Sequence, residues 1–138
     1  MLESKDILKS NQLKITSNRL EIIQFFVENK RALSHSEIEK SLQSNMDRVT
    51  IYRNLKSFEE KGIIHQFVDL NGIQRFALCQ DTCDNQQHQD QHIHLQCSKC
   101  DQTYCLDVHI PVLNIPKNFQ ITQVEFMVKG ICENCQKK

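Results

Sequence analysis

From Thr16 onward, apolar residues return every three or four positions: Leu20, Ile23, Phe26 and Val27. That period predicts an amphipathic helix with Thr16 as its N-cap, ending near Lys30. A second helix opens with the capping-box pattern Ser34-x-x-Glu37 and puts Ile38 and Leu42 on its inner face. A third starts near Asp47 and stops at Gly62, with Ile51, Leu55 and Phe58 turned inward, Arg53 and Lys56 on the opposite side, and Tyr52 at the edge. The period then changes to alternation. Ile63 to Leu70 and Ile73 to Leu78 flank Asn71-Gly72, which predicts a β-hairpin with a type I′ turn.

Three helices followed by a hairpin is the order of a winged helix, a DNA-binding unit whose reading helix enters the major groove with its N-terminal half leading. Here that helix carries Thr50, Tyr52 and Arg53. The competing reading, that Arg53 and Lys56 are a solvated face, is not separated from it by charge. Residues 1–78 hold 12 basic and 10 acidic side chains and residues 79–138 hold 5 and 7, a weak asymmetry in a chain of formal net charge zero.

Beyond the hairpin the pattern thins. Gln80 to Gln91 is Gln/Asp-rich without apolar rhythm and reads as a linker, dividing the chain into 1–79, 80–91 and 92–138. His92 to Cys97 alternates like a strand, Pro111 and Pro116 interrupt the chain, and Phe119 to Lys129 reads as a strand leading to Gly130. Met1 to Lys14 is a mixed polar and charged segment unlike a signal peptide, and no apolar run is long enough for a membrane helix.

Cysteine changes the picture. Two Cys-x-x-Cys clips, Cys97/Cys100 and Cys132/Cys135, can close a thiolate tetrahedron on one zinc ion, a saturated site that holds structure and leaves no open position for catalysis. Such an ion contributes on the order of 10–16 kcal/mol in small peptides, a large aid to a chain whose 138 residues form one domain or two small ones. The odd count of seven cysteines argues against a disulfide framework and for a reducing cytoplasm. His92 and His94 lie two apart on a strand, so their imidazoles leave one face with α-carbons about 6.5–7 Å apart. His35, His88 and His109, taken singly, read as surface or satisfied residues, and Cys83 as a bystander in the linker.

Taken together, several motifs carry a family resemblance. Leu13-Lys14-Ile15-Thr16 with Arg19, Thr50-Ile51-Tyr52-Arg53-x-Leu55 with Phe58 and Gly62, His92-x-His94-x-x-Cys97-x-x-Cys100, and Gly130-x-Cys132-x-x-Cys135 occur in order along nearly the whole chain. The sequence resembles the ferric uptake regulator family, and within it the zinc uptake regulator branch. The resemblance implies an α+β fold, with an N-terminal winged helix joined to a small C-terminal α/β dimerisation domain that holds the four-cysteine zinc. It further implies a metal-dependent repressor that binds a palindromic double-stranded DNA operator as a homodimer. Tyr52 and Arg53 become base-reading residues beside Thr50, and Lys14 a minor-groove contact; an arginine can pair bidentately with guanine.

The branch is read from the regulatory metal site. Iron- and peroxide-sensing relatives take a histidine near the start of the second helix, where this chain has Leu33, with His35 two positions off register. Zinc-sensing relatives use the places held here by His65, Cys79, His92 and His94, so a second zinc per subunit is expected, with Cys105 as a substitute or fifth ligand where many relatives carry a carboxylate. The long helix usual after the first clip has no counterpart in Asp107 to Phe119. A further regulatory site is expected to be missing, since Gln91, Ile93 and Val124 stand where histidines would be. An iron or peroxide sensor is the sibling alternative. A thiol redox enzyme or zinc hydrolase is the alternative from another class, without a His-Glu-x-x-His motif or a βαβ pattern around the clips.

Overall fold

The computed structural model describes residues 2–42, 46–78, 93–106, 108, 113–122 and 126–137. Helix α1 spans Leu2–Ser10, α2 Ser17–Asn29, α3 His35–Ser41 and α4 Arg48–Glu60, with the two-residue strand β1 (Leu33–Ser34) between α2 and α3. Local chemistry sets these boundaries. Thr16 Oγ1 accepts from Arg19 N–H at 3.2 Å and Asp47 from Thr50 N–H at 2.8 Å, while Ser34 and Glu37 complete a reciprocal capping box. Lys30 closes α2 in the left-handed region (φ 53°), and Gly62 (φ 75°) follows α4.

The core packs Ile22, Ile23 and Phe26 of α2 against Ile38, Ile51, Leu55, Phe58 and the hairpin residues Ile64 and Phe76. Leu20 and Val27, expected inside, are only partly buried, and Ile22 takes the deeper place. The N-terminal segment is a helix, where the sequence suggested none. Its Leu8 is fully buried, and Ser4 Oγ, also buried, donates to Gln24 Oε1 at 2.7 Å. Leu8→Ala is therefore expected to cost about 2–5 kcal/mol of unfolding free energy in urea denaturation, as for a core leucine. A loss below about 0.5 kcal/mol, the range of surface changes, would show that α1 is not part of this core.

Strands β2 (Ile64–Val68) and β3 (Gln74–Leu78) form the hairpin, antiparallel with Ile64 opposite Leu78, and β1 joins it in the order β1-β3-β2. The turn is not type I′, which needs positive φ at both central residues. Only Gly72 has it (φ 81°); Gly72 N–H bonds back to Asp69 O at 3.0 Å and Asp69 N–H to Ile73 O at 2.9 Å, a three-residue loop with Gly72 in the bulge position. The decisive residue is Asp69, whose Oδ1 accepts from Asn71 and Ile73 N–H, both at 2.9 Å. Its Oδ2 takes Arg75 Nε–H at 3.0 Å, and Arg75 continues to Glu37, which also binds Arg31. Burial alone would raise both carboxyl groups. Hydrogen bonding and charge from Arg31, with Arg75, hold Glu37 below the usual range, and the Ile73 amide with Arg75 does the same for Asp69.

A second sheet, in the order β5-β4-β6, comprises β4 (Ile93–Cys97), β5 (Thr103–Leu106) and β6 (Phe126–Gly130). Strand β5 is antiparallel to β4 and β6 is parallel to it. The expected strand over Phe119 to Lys129 is thus shorter: Phe119 to Thr122 are not extended into it, and residues 123–125 lie outside the described residues. So does the expected linker from Gln80 to Gln91. The short helix α5 (Glu133–Gln136) follows β6.

The two sheets meet at a seam. Ala32 N–H donates to Thr103 O at 2.8 Å, Leu70 N–H donates to Gln96 Oε1 at 2.8 Å, and buried Ala32, Phe67 and Ala77 pack with Cys105 and Met127.

Candidate metal centres and reading helix

The first centre grows from two turns. After β4 the chain reverses through Asp101, in the left-handed region at φ 61°, with Cys97 N–H bonding Gln102 O at 2.9 Å and Asp101 N–H bonding Cys97 O at 2.9 Å. Ser98 N–H donates to Gly130 O at 2.8 Å and so docks this turn on the end of β6, beside Cys132 and Cys135. The four sulfurs lie within 4.8 Å of one another, and Cys100 and Cys132 are 3.8 Å apart. A tetrahedral zinc with bonds of about 2.3 Å requires sulfur separations of about 3.8 Å, so the cluster fits that ion.

Its protons are unevenly held. The Cys132 amide, with those of Cys100 and Lys99, points at the Cys97 sulfur and brings that thiol down to about 6. Cys135, hydrogen-bonded to the Cys132 sulfur, is pushed up to about 12. Burial, and then a hydrogen bond to Cys132, push the Tyr104 hydroxyl up to about 12 where it packs on the cluster. Four thiolates here need a cation to balance them, and binding one would release protons. The second clip sits at a helix start, since Cys132 is the N-cap of α5. The four-residue helix is not a βαβ crossover, and all four sulfurs converge, so the arrangement is a metal clip.

The second centre lies in the seam. His65 comes from β2, His94 from β4, and Cys105 from β5 directly opposite His94. Their ligand atoms lie within 4.8 Å of one another, and His65 Nε2 is 3.2 Å from His94 Nε2. Two imidazoles on one tetrahedral zinc would place their nitrogens about 3.3 Å apart. Both histidines are buried, and the Phe67 ring stacks on His94 at 3.7 Å between centroids, fixing the imidazole plane. Cys105 is half-buried. Cys79, His92, Cys83, His88 and His109 lie outside the described residues. His35 stands apart, its Nδ1 3.7 Å from Glu39 Oε2 at the start of α3, and Leu33 is buried in β1.

On α4, Tyr52 is 58% exposed, Arg53 and Lys56 are also exposed, and Thr50 is half-buried near the N-cap. Lys14 is exposed, and a contact that sequence reasoning missed ties its loop to this helix. Arg19 Nη1 donates to Lys14 O at 2.9 Å and Arg19 Nε to Asn54 Oδ1 at 3.3 Å, while Asn54 Nδ2 donates to Thr50 O at 3.0 Å. Tyr52 and Arg53 are thus exposed on α4, and the backbone of the Lys14 loop is tied to the same helix through Arg19.

The ferric uptake regulator family model matches residues 10–129. The chain belongs to the ferric uptake regulator family. The ferric uptake regulation protein of Staphylococcus aureus is 33% identical over 94% of this chain and 93% of its own length, and that of Staphylococcus epidermidis is 32% identical over 95% and 93%. Among solved structures, the Vibrio cholerae ferric uptake regulator aligns with TM-score 0.61 at 22% identity, over 93% of this chain and 98% of that one. Holo XcZur aligns with TM-score 0.64 at 16% identity, over 98% and 99%. At those identities the structures establish the fold. As a ferric uptake regulator family member, the chain is a metal-responsive, DNA-binding transcription regulator rather than an enzyme, from a family whose members bind DNA as dimers. No helix among the described residues is long and apolar enough to cross a membrane.

Proposed function

We propose that this regulator is a zinc-responsive repressor in which residues 1–79 read a palindromic operator, residues 92–138 pair two copies, and zinc is the co-repressor. The observation that carries it is the mixed donor set in the seam: two imidazole nitrogens 3.2 Å apart with a thiol within 4.8 Å, drawn from both sheets. Sulfur with nitrogen suits zinc and disfavours manganese and magnesium. His65, His94 and Cys105 would hold the ion together with Cys79 and His92, one of the five making way for a four-coordinate shell. Bound there, zinc supplies a cross-link between the sheets and so a fixed angle between reading and pairing halves. A homodimer is supported by the exposed apolar side chains Val108, Leu113, Ile115, Phe119 and Ile121, a surface suited to a second copy.

The staphylococcal relatives named for ferric uptake favour the sibling reading, an iron sensor. It predicts oxygen-rich ligation, which His65, His94 and Cys105 do not provide. Operator affinity measured with and without zinc at fixed salt decides the matter. Zinc should tighten binding by about 5- to 150-fold, the usual range of metal coupling, and equal affinities would eliminate zinc control. For the reading helix, Arg53→Ala is expected to cost about 1–3 kcal/mol of operator affinity and to relax preference at one base pair. A uniform loss across all operator variants would instead assign Arg53 to the phosphate backbone.

A further inference from the structure

The hairpin turn is anchored to the strand that bears His94. Gln96 lies two residues beyond His94, both are buried, and Gln96 is only 3% exposed. Its Oε1 accepts the Leu70 N–H at 2.8 Å. The Leu70 side chain is 52% exposed, so the link runs through the backbone amide. An amide in an exposed turn can bond water, and a glutamine buried without a partner would cost about 1–3 kcal/mol. This pairing therefore serves to orient the turn. From there the contacts continue inward. Asp69 takes the amides of Asn71 and Ile73 and the Arg75 guanidinium, and Arg75 reaches Glu37 in the capping box of α3.

We propose that Gln96 is the positioning residue that holds the hairpin turn in register with β4, so that ligation at His65 and His94 reaches the DNA-binding half through the Gln96 to Leu70 bond. The identity of the metal rests on the zinc reading above, but the bond itself does not. Without it, a ligated seam would still fix β2 to β4 at His65, while the far end of the hairpin could pivot about that point.

Two variants remove the bond from opposite sides. Gln96→Met keeps volume and loses the acceptor. Leu70→Pro deletes the donor at the second position of a type I-like turn, where the fixed φ of proline is favoured. Each is expected to bind zinc within about twofold of wild type, yet to lose about 5- to 10-fold of the zinc-dependent gain in operator affinity, with no further loss in the double variant. Gln96→Glu, which keeps an acceptor oxygen, should recover most of the gain. Hydrogen exchange gives a readout without DNA: zinc should slow exchange at the Leu70 amide in the wild type and leave it unchanged in Gln96→Met. The proposal is overturned if both single variants keep the wild-type gain, if losses in gain only track losses in zinc affinity, or if zinc leaves Leu70 exchange unaltered. A wild-type chain whose operator affinity ignores zinc, with Leu70 still protected on loading, would sink the zinc-repressor reading and leave this inference standing.

Discussion

Cys132→Ser is expected to dismantle the second sheet. Strand β4 ends at Cys97 and β6 ends two residues before Cys132, so the clips fasten the ends of the parallel pair on which the sheet is built. Among the described residues, what packs there besides sulfur is slight: the buried cluster consists of Cys97, Cys132 and Cys135 with half-buried Tyr104. A lobe so short of apolar burial depends on its ion. Loss of one ligand should lower the unfolding midpoint by more than about 20 °C and split the transition, because the helical core around Phe26 and Phe58 does not use the cluster. Circular dichroism melts with a zinc count would check this. A single unshifted transition would mean that the four thiols are not a zinc site. Chelator treatment of the wild type should reproduce the variant.

Features set by neighbouring residues were legible in the chain. The caps at Thr16, Ser34 and Asp47 are local hydrogen bonds, and the apolar rhythm of Ile51, Leu55 and Phe58 is the buried face of α4. Both clips could be read because metal ligation constrains spacing directly. What was missed depends on partners far along the chain. Helix α1 is mixed in composition and becomes informative only when Leu8 meets the core and Ser4 finds Gln24, 20 residues on. The turn was misassigned because the Asp69 carboxylate, bound to Arg75, overrides the preference of Asn71-Gly72. Strand β5 is four residues long and exists through pairing with β4. Gln96 looks like any polar residue on an alternating strand until Leu70 is placed 2.8 Å from it.

The same division runs through the seam centre, and it decides which substitution is most telling. A histidine within a strand announces nothing, and His65 was singled out only by family resemblance; its place 3.2 Å from His94 is what now supports a ligand role. His65→Ala is expected to abolish the zinc-dependent gain in operator affinity while sparing the four-cysteine cluster, so zinc content should fall from about two ions per subunit to about one. Zinc affinity at the seam should drop by more than the roughly 10- to 100-fold typical of changes merely adjacent to a ligand. Removing the side chain opens a gap beside Phe67, so a melt must accompany the measurement: a retained midpoint with lost response assigns the effect to ligation. Cys79→Ser and Cys105→Ser then apportion the sulfur. With zinc kept in the four-cysteine cluster and cobalt loaded at the seam alone, thiolate ligation shows as charge-transfer absorption, and the serine variant that loses this band identifies the bound cysteine. If His65→Ala still takes up the second ion and still tightens on DNA with zinc, the two sheets are not joined through this pair, and control of DNA binding must lie elsewhere in the chain.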